Sequence, residues 1–418
     1  MVTYGDPTLN PTLSKGKAKD QTLTGIDSQT NTIVGDVNYI TNKGSGGKDK
    51  LTGGDDASNF LFGDAQFDMH DSAKGGDDKL VGGSNTGDSE FVDQLYGDAF
   101  QMFEFTQGGK DILIGGNNSG SGHLGNNIFG DASEMFDSAK GGDDKLTGGS
   151  NSGSGFDDSN VWGDGIRMFG SAEGGKDTII GGGNSGDGGA FNVLSGDAGD
   201  MRDFAKGGDD KLTGGDNSGS GSVFNQLTGD AQLLLDSARG GNDALIGGNA
   251  TAGSVENFLY GDALGIDNAG PGGNDKLTGG NASGSGTVNN TLMGDAAQSY
   301  SAKGGNDTLT AGSYSGGGSV RNDMWGDMQL LLGSATGGHD KFVFKGDFVG
   351  TQNYIYDFHQ SQFDKIEFSG VTGVTSFSDL TIAHSGLDTV ITAGADQVTL
   401  VSYDNTAHPL AASDFLFA

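Results

Sequence analysis

Ten aspartates recur in one setting along this chain. Asp49, Asp78, Asp111, Asp144, Asp177, Asp210, Asp243, Asp275, Asp307 and Asp340 each close a Gly-Gly-x-Asp run. Carboxylates beside glycine turns, which expose carbonyl oxygens, are the donor set of a hard cation, and calcium accepts many such oxygens in flexible geometry. The competing reading is turn chemistry, since Asp next to Gly commonly hydrogen-bonds its own backbone. A second series closes Gly-Asp pairs: Asp64, Asp98, Asp131, Asp164, Asp197, Asp230, Asp262, Asp295 and Asp327. These rank second as ligands, because an aspartate there can equally cap a following turn.

A repeat must position both series. The first glycine of the Gly-Gly-x-Asp run falls at 46, 75, 108, 141, 174, 207, 240, 272, 304 and 337. The steps are 29, then 33 five times, then 32, 32 and 33, so each unit meets its neighbour in one register. Two residues beyond each aspartate stands an apolar side chain, from Leu51, Leu80 and Leu113 to Phe342, which predicts a short strand bracketed by glycines. The second anchor reads Asn-x-Φ-x-Gly-Asp, with Leu61, Leu95, Ile128 and their equivalents inward, and predicts the facing strand. Glycine is too dense for ankyrin-type helices, and the leucine-rich-repeat pattern is missing. The expected fold is mainly all-β: a parallel β-solenoid of about ten 33-residue coils, each contributing to two sheets.

In such a stack equivalent residues form rows about 4.8 Å apart. Two carboxylates that close repel by about 1 kcal/mol in bulk water and by about 3 to 4 kcal/mol at an effective dielectric near 20. Repeated along a row, this opposes folding unless cations intervene. The facing strand is an internal control. At the same offset before its apolar residue it carries Asn59, Asn126, Asn192, Asn225, Asn257, Asn290 and Asn322, with Asp93 and Ser159 as exceptions. A neutral amide row can pair with itself. Charge is thus placed on one strand and mostly avoided on the other, and multiple calcium ions are the expected ligands of the Asp row.

Between the two strands runs a Ser/Gly loop, such as SNSGSG at 150–155, which reads as an exposed connection with no core of its own. After the second strand, GDASEMFDSAKGG puts Ala132, Met135, Phe136 and Ala139 at i, i+3, i+4 and i+7, with Asp131 placed to cap a helical turn. Packed helices need about 8 to 10 Å between axes, so full helices cannot stack on coils 4.8 Å apart, and single turns are expected. Their apolar residues (Met102, Phe103, Met135, Phe136, Met168, Phe169, Leu234, Leu235, Leu331, Leu332) line up as a stripe. It belongs to the core or, where exposed, forms a contact surface.

Composition narrows the function classes. Lys and Arg number 23 against 56 Asp and Glu, a net charge of −33, which argues against nucleic acid and anionic membrane surfaces as partners. There is no Cys, so no disulfide or thiolate metal site holds the fold. The first residues lack the apolar run of a signal peptide, and no stretch is long enough to span a bilayer, so no membrane insertion is expected. The six His (70, 123, 339, 359, 384 and 408) are isolated, with neither His-Glu-x-x-His nor Gly-x-Ser-x-Gly, and no enzymatic activity is expected.

Gly76–Gly83, GDDKLVGG, resembles the Gly-x-Asp-x-Leu-x-Gly-Gly half of the RTX (repeats-in-toxin) calcium-binding nonapeptide. The likeness covers the anchors of the whole repeat region, in coils enlarged by the loop and the apolar turn. The tail, from GGHDKFVF through FDKIEFSGV to SDFLFA, looks like the β-rich C-terminal flank of RTX proteins. The resemblance implies an uncleaved type I secretion signal in that tail, the type I secretion machinery as a partner, and folding outside the cell where calcium is abundant. The expected organisation is a flexible N-terminal segment over 1–19, an enlarged RTX β-roll over 20–340 and a C-terminal β-rich cap with the secretion signal over 341–418. QTLTGIDSQTNTIVGD reads as a shortened first coil with Leu23 and Ile33 inward. The expected function is a secreted or cell-surface structural protein that self-assembles into a surface layer, filament or biofilm matrix. The alternative is a calcium-dependent adhesin or other binding module using one solenoid face. Ice binding would need a regular Thr row, but Val81, Ile114, Ile180 and Ile246 interrupt Thr52, Thr147, Thr213, Thr278 and Thr310.

Overall fold

The Gly-Gly-x-Asp runs before the last lead into strands of three residues, such as Lys145–Thr147, whose middle side chain alone is buried; the last leads into the longer Lys341–Lys345. This strand pairs in parallel and in register with Ile112–Ile114 before it and Thr178–Ile180 after it, so Leu113, Leu146 and Ile179 stack. The facing strand, such as Phe156–Trp162, alternates buried residues with exposed or half-buried ones and stacks in the same way. In this computed structural model, which describes residues 2–4, 12–267 and 270–418, the repetition winds the chain into a parallel β-solenoid of about ten turns. Among the described residues the first sheet has 13 strands and the second 15, and their inward Leu, Ile and Val form one continuous apolar cluster.

The coil has three sheets rather than the two expected. The apolar segment after the second strand is itself a strand: Ala132–Met135 pairs in parallel with Ala99–Met102 and Gly165–Met168, and 11 such strands form a third sheet. The i, i+3 spacing of Ala132 and Met135 fits a helical face and equally a bent strand. Stacking decides between them, because Phe136 N–H reaches Met102 O in the neighbouring coil at 2.9 Å, a partner a helical turn would give up. Asp131 therefore caps no helix. The stripe divides. Met102, Met135, Met168 and Leu234 are buried in a second apolar cluster with Ala99, Ala132 and Ala139. Phe103, Phe136 and Phe169 stack half-buried outside it, with ring centroids 4.9 and 5.3 Å apart. Leu235 and Leu332 are half-buried, and the side chain of Leu331 lies outside the described set.

The Ser/Gly loop also has a core, against expectation. Asn85, Asn118, Asn151, Asn184 and Asn217 are buried and bridge from coil to coil. In later coils Ala190, Val223, Val255 and Val288 close a third apolar cluster. The amide satisfies the turn from inside: Asn118 Nδ2 donates to Gly122 O at 2.8 Å. A turn held this way tolerates small apolar neighbours.

Both ends of the repeat region extend its sheets. Thr12–Lys17, in the segment expected to be flexible, pairs in parallel with Val37–Ser45, and Leu13 and Ala18 join the second cluster. Residues 1 and 5–11 of that segment lie outside the described residues. Val2–Tyr4 pairs with Asn31–Val34, Leu23 packs half-buried against the first cluster and Ile33 is buried in it. Beyond residue 340, Lys341–Lys345, Lys365–Ser369 and Phe415–Phe417 continue the first sheet, and Gln352–Ile355 continues the second. An antiparallel meander, Leu380–Ser385, Asp388–Ala393 and Asp396–Leu400, covers the second sheet's edge. Among the described residues no helix is long and apolar enough to cross a membrane.

Candidate metal centre

The ten aspartates of the Gly-Gly-x-Asp series stand in one buried column, none more than 3% exposed. Each turns Oδ1 to the coil before it. Asp144 N–H donates to Asp177 Oδ1, Asp177 N–H to Asp210 Oδ1 and Asp210 N–H to Asp243 Oδ1, each at 2.7 Å. The chain of bonds starts where Gln21 N–H donates to Asp49 Oδ1 at 2.6 Å. In all ten the other oxygen, Oδ2, is buried without a hydrogen-bond partner.

The Gly-Asp series forms a second column, fully buried from Asp64 to Asp327. Each accepts the N–H of the second glycine in the following Gly-Gly pair: Gly76 to Asp64 at 2.7 Å, Gly142 to Asp131 at 2.9 Å, Gly273 to Asp262 at 2.6 Å. These aspartates thus tie the end of the second strand to the start of the first across the corner that carries the third sheet. Six of them, Asp64, Asp164, Asp197, Asp230, Asp262 and Asp295, also keep one buried oxygen without a partner.

The two columns adjoin. At the N-terminal end, carboxylate oxygens of Asp36, Asp49 and Asp64 all lie within 4.8 Å of one another. Burial, followed by the charges of Asp98, Asp144 and Asp78, pushes Asp111 well above the ordinary carboxylate range. Asp177 is raised likewise by burial and then by Asp164, Asp210 and Asp144. Burial and then Asp36 push Asp49 up to about 7. As sets of ionised groups, the columns carry a large uncompensated cost.

Glycine opens the space beside the orphaned oxygens. A Cβ on Gly97 would collide at once with Asp111 Oδ2 and with the carbonyl oxygen of Gly130, and Gly130 stands in the same relation to Asp144 and Gly163. Carboxylate and carbonyl oxygens therefore converge where only glycine fits. Among the described residues the donor set of the columns is all oxygen, which suits a hard cation. Calcium's six to eight oxygens in flexible geometry fit a continuous column better than the octahedron of magnesium, which retains several waters.

Three aspartates outside the two predicted series extend the columns. Asp36 begins the second one, accepting Gly47 N–H at 2.8 Å; its Gly-Asp pair at 35–36 shares the rhythm of the others. Asp364 follows Asp340 in the first, accepting Asp340 N–H at 3.0 Å. Its signal was Phe-Asp-Lys-Ile at 363–366, which repeats the Asp-Lys-Φ order of Asp78-Lys79-Leu80. Asp357 takes the N–H groups of Gly326 and Asp327 at 2.8 and 3.0 Å, and burial pushes it to about 8. His359 stands at this end, its backbone N–H donating to Asp364 Oδ2 at 2.7 Å.

The Asn row behaves as its residue type predicts. Nδ2 of Asn192, Asn225, Asn257, Asn290 and Asn322 donates to Oδ1 of the next asparagine, ending on Asn353, at 2.8 to 2.9 Å. Asp93 and Ser159 interrupt it, and burial raises Asp93 to about 7. Compared with protein-family models, curated proteins and solved structures, the chain matches none.

Proposed function

We propose that the protein is a secreted, calcium-binding structural repeat protein that folds and self-associates outside the cell, as a surface layer, filament or biofilm matrix. The observation that carries the reading is the column of ten buried aspartates, each with an unpartnered Oδ2. A folded protein does not bury so many like charges without counter-charge, and among the described residues no lysine, arginine or histidine side chain forms an ion pair with an aspartate of the two columns. Oδ2 of the first column, the free oxygens of the second and the adjoining glycine carbonyls would hold the ions. Bound calcium supplies positive charge that offsets the repulsion, so the free energy of binding becomes free energy of folding.

The resemblance of the repeat and tail to RTX proteins supports export by a type I system. Where calcium is scarce, repulsion along the columns keeps the chain open; where it is abundant, the coils close. The test is a calcium titration of protein purified in chelator, followed by far-UV circular dichroism and negative-stain microscopy. Parallel β-structure should appear cooperatively with calcium, and assemblies should follow. Full β-structure in excess chelator at neutral pH would sink the metal reading, and monomers at high calcium and protein concentration would sink the assembly reading.

A further inference from the structure

The outer surface of the first sheet carries charge of two kinds. In one column basic and acidic residues alternate from coil to coil and neutralise one another, as Lys48 pairs with Asp77, Lys110 with Asp143 and Lys176 with Asp209. Two residues further along each strand the pattern changes. Lys79, Lys145, Lys211 and Lys276 occupy every second coil, all exposed, with Ile112, Thr178 and Ala244 in the coils between. Among the described residues none of these four lysines has an ion-pair partner. They form a cationic row, at intervals of about 9.6 Å, on a molecule of net charge −33.

The same molecule carries the complement. At the turns that end the third-sheet strands one residue adopts the left-handed conformation in coil after coil; it is acidic in Asp71, Glu104, Asp137, Asp203 and Asp236, with φ between 59 and 64°, and is Gly170 in the coil between Asp137 and Asp203. All five are exposed. Carboxylates of this row accept backbone N–H groups of the coil before, as Glu104 Oε2 accepts Asp71 N–H at 2.6 Å, and among the described residues no cation pairs with them. Beside them stand Phe105 and Phe204, 68% and 66% exposed, the most exposed aromatic side chains of the repeat region. The basic face carries exposed Ile112 and Ile180.

We infer that the first-sheet face of one molecule docks laterally on the acidic turn column of a second copy of this chain. The observation that favours a second copy is commensurability. Both rows are spaced by the same coil rise, so lysines at every second coil meet Asp71, Asp137 and Asp203 of an aligned copy, which also stand at every second coil. Phe105 and Phe204 supply apolar contact area against the Ile-bearing face, where pairs of surface charges alone contribute little. Each molecule has one face of each kind at different positions, so the contact is head-to-tail and propagates into an open sheet. This inference rests on the self-association reading above, not on the calcium reading.

The test is sedimentation velocity of the full chain at saturating calcium, on protein whose circular dichroism matches the folded wild type. Wild-type association should weaken as salt rises from about 0.05 M to about 0.5 M. A Lys79→Glu, Lys145→Glu, Lys211→Glu, Lys276→Glu variant should need a concentration about tenfold higher or more to associate, as the loss of several weak pairs implies. A variant with lysine at the five acidic turn positions should also fail alone, and mixing the two variants should restore association. Should that second variant not fold, Phe105→Ser with Phe204→Ser gives the same reading on exposed positions, and association should fall with β-structure intact. Wild-type association that ignores salt, an unimpaired Lys-to-Glu variant, or folded variants that do not complement on mixing would overturn the proposal. Failure of the calcium reading would show separately, as β-structure indifferent to chelator.

Discussion

Two buried polar ladders run side by side through this solenoid, and they solve the same problem in opposite ways. In the Asn ladder each side chain both donates and accepts. Asn225 Oδ1 takes Gly215 N–H at 2.8 Å and its Nδ2 reaches Asn257 at 2.9 Å, so the row is complete from the chain's own atoms. In the Asp ladder each side chain can only accept. Asp177 Oδ1 takes the N–H of Asp144, and Oδ2 is left with nothing. The same backbone spacing thus yields a self-sufficient row from an amide and a row needing external positive charge or protons from a carboxylate. A third row, on the surface, shows what the chain does when it can pair charge internally: it alternates Lys and Asp.

The largest expected effect is that of pH on the chelated protein. Carboxyls raised by burial keep their protons in the fold to higher pH than in the unfolded chain, where they ionise near 4. Folding then takes up protons, and stability falls as pH rises from about 4 through the raised values, about 7 for Asp49 and about 8 for Asp230. Urea midpoints in chelator should drop steadily between about pH 5 and pH 8, while saturating calcium should abolish or reverse the slope. A flat profile in chelator would break the contrast between the two ladders.

Asn225→Leu should come next. It takes the side-chain partner from both Gly215 N–H and Gly215 O and leaves one of the two Nδ2 protons of Asn192 unpaired, while Asn257 Oδ1 keeps Gly248 N–H, at a cost of about 2 to 4 kcal/mol. Chemical denaturation should show the same loss with and without calcium. Asp177→Asn should behave differently, because the amide oxygen still accepts Asp144 N–H while the buried charge is gone. In chelator the variant should be more stable than wild type by about 1 to 3 kcal/mol; in calcium it should be less stable. A change of the same sign in both conditions would count against the column as a cation site. The smallest effect belongs to the surface row, where Lys110→Ala should leave the thermal midpoint unchanged within error, since exposed ion pairs contribute little.

Much of this was legible in residues with a fixed rhythm. Leu80, Leu113 and Leu146 mark the first sheet, Leu95 and Ile128 the second, and the opposition of Asp and Asn marks the ladders. The third sheet was not legible, because Ala132 and Met135 are three apart and the helical period describes them as well as a bent strand does. Stacking at strand spacing, a property of ten coils together, settles the matter. The second column was ambiguous for a similar reason. Asp131 beside a glycine reads as a cap, and its reach across the corner to Gly142 becomes visible only once the third strand is a strand. Asp364 escaped because its coil lacks the Gly-Gly pair that marks the others.

The most direct test of the central claim is to count ions. Equilibrium dialysis of the chelator-stripped chain against calcium at neutral pH, with circular dichroism on the same samples, should find several ions bound per chain, taken up over the concentration range in which β-structure forms. A chain with native β-structure and no bound calcium would contradict the account.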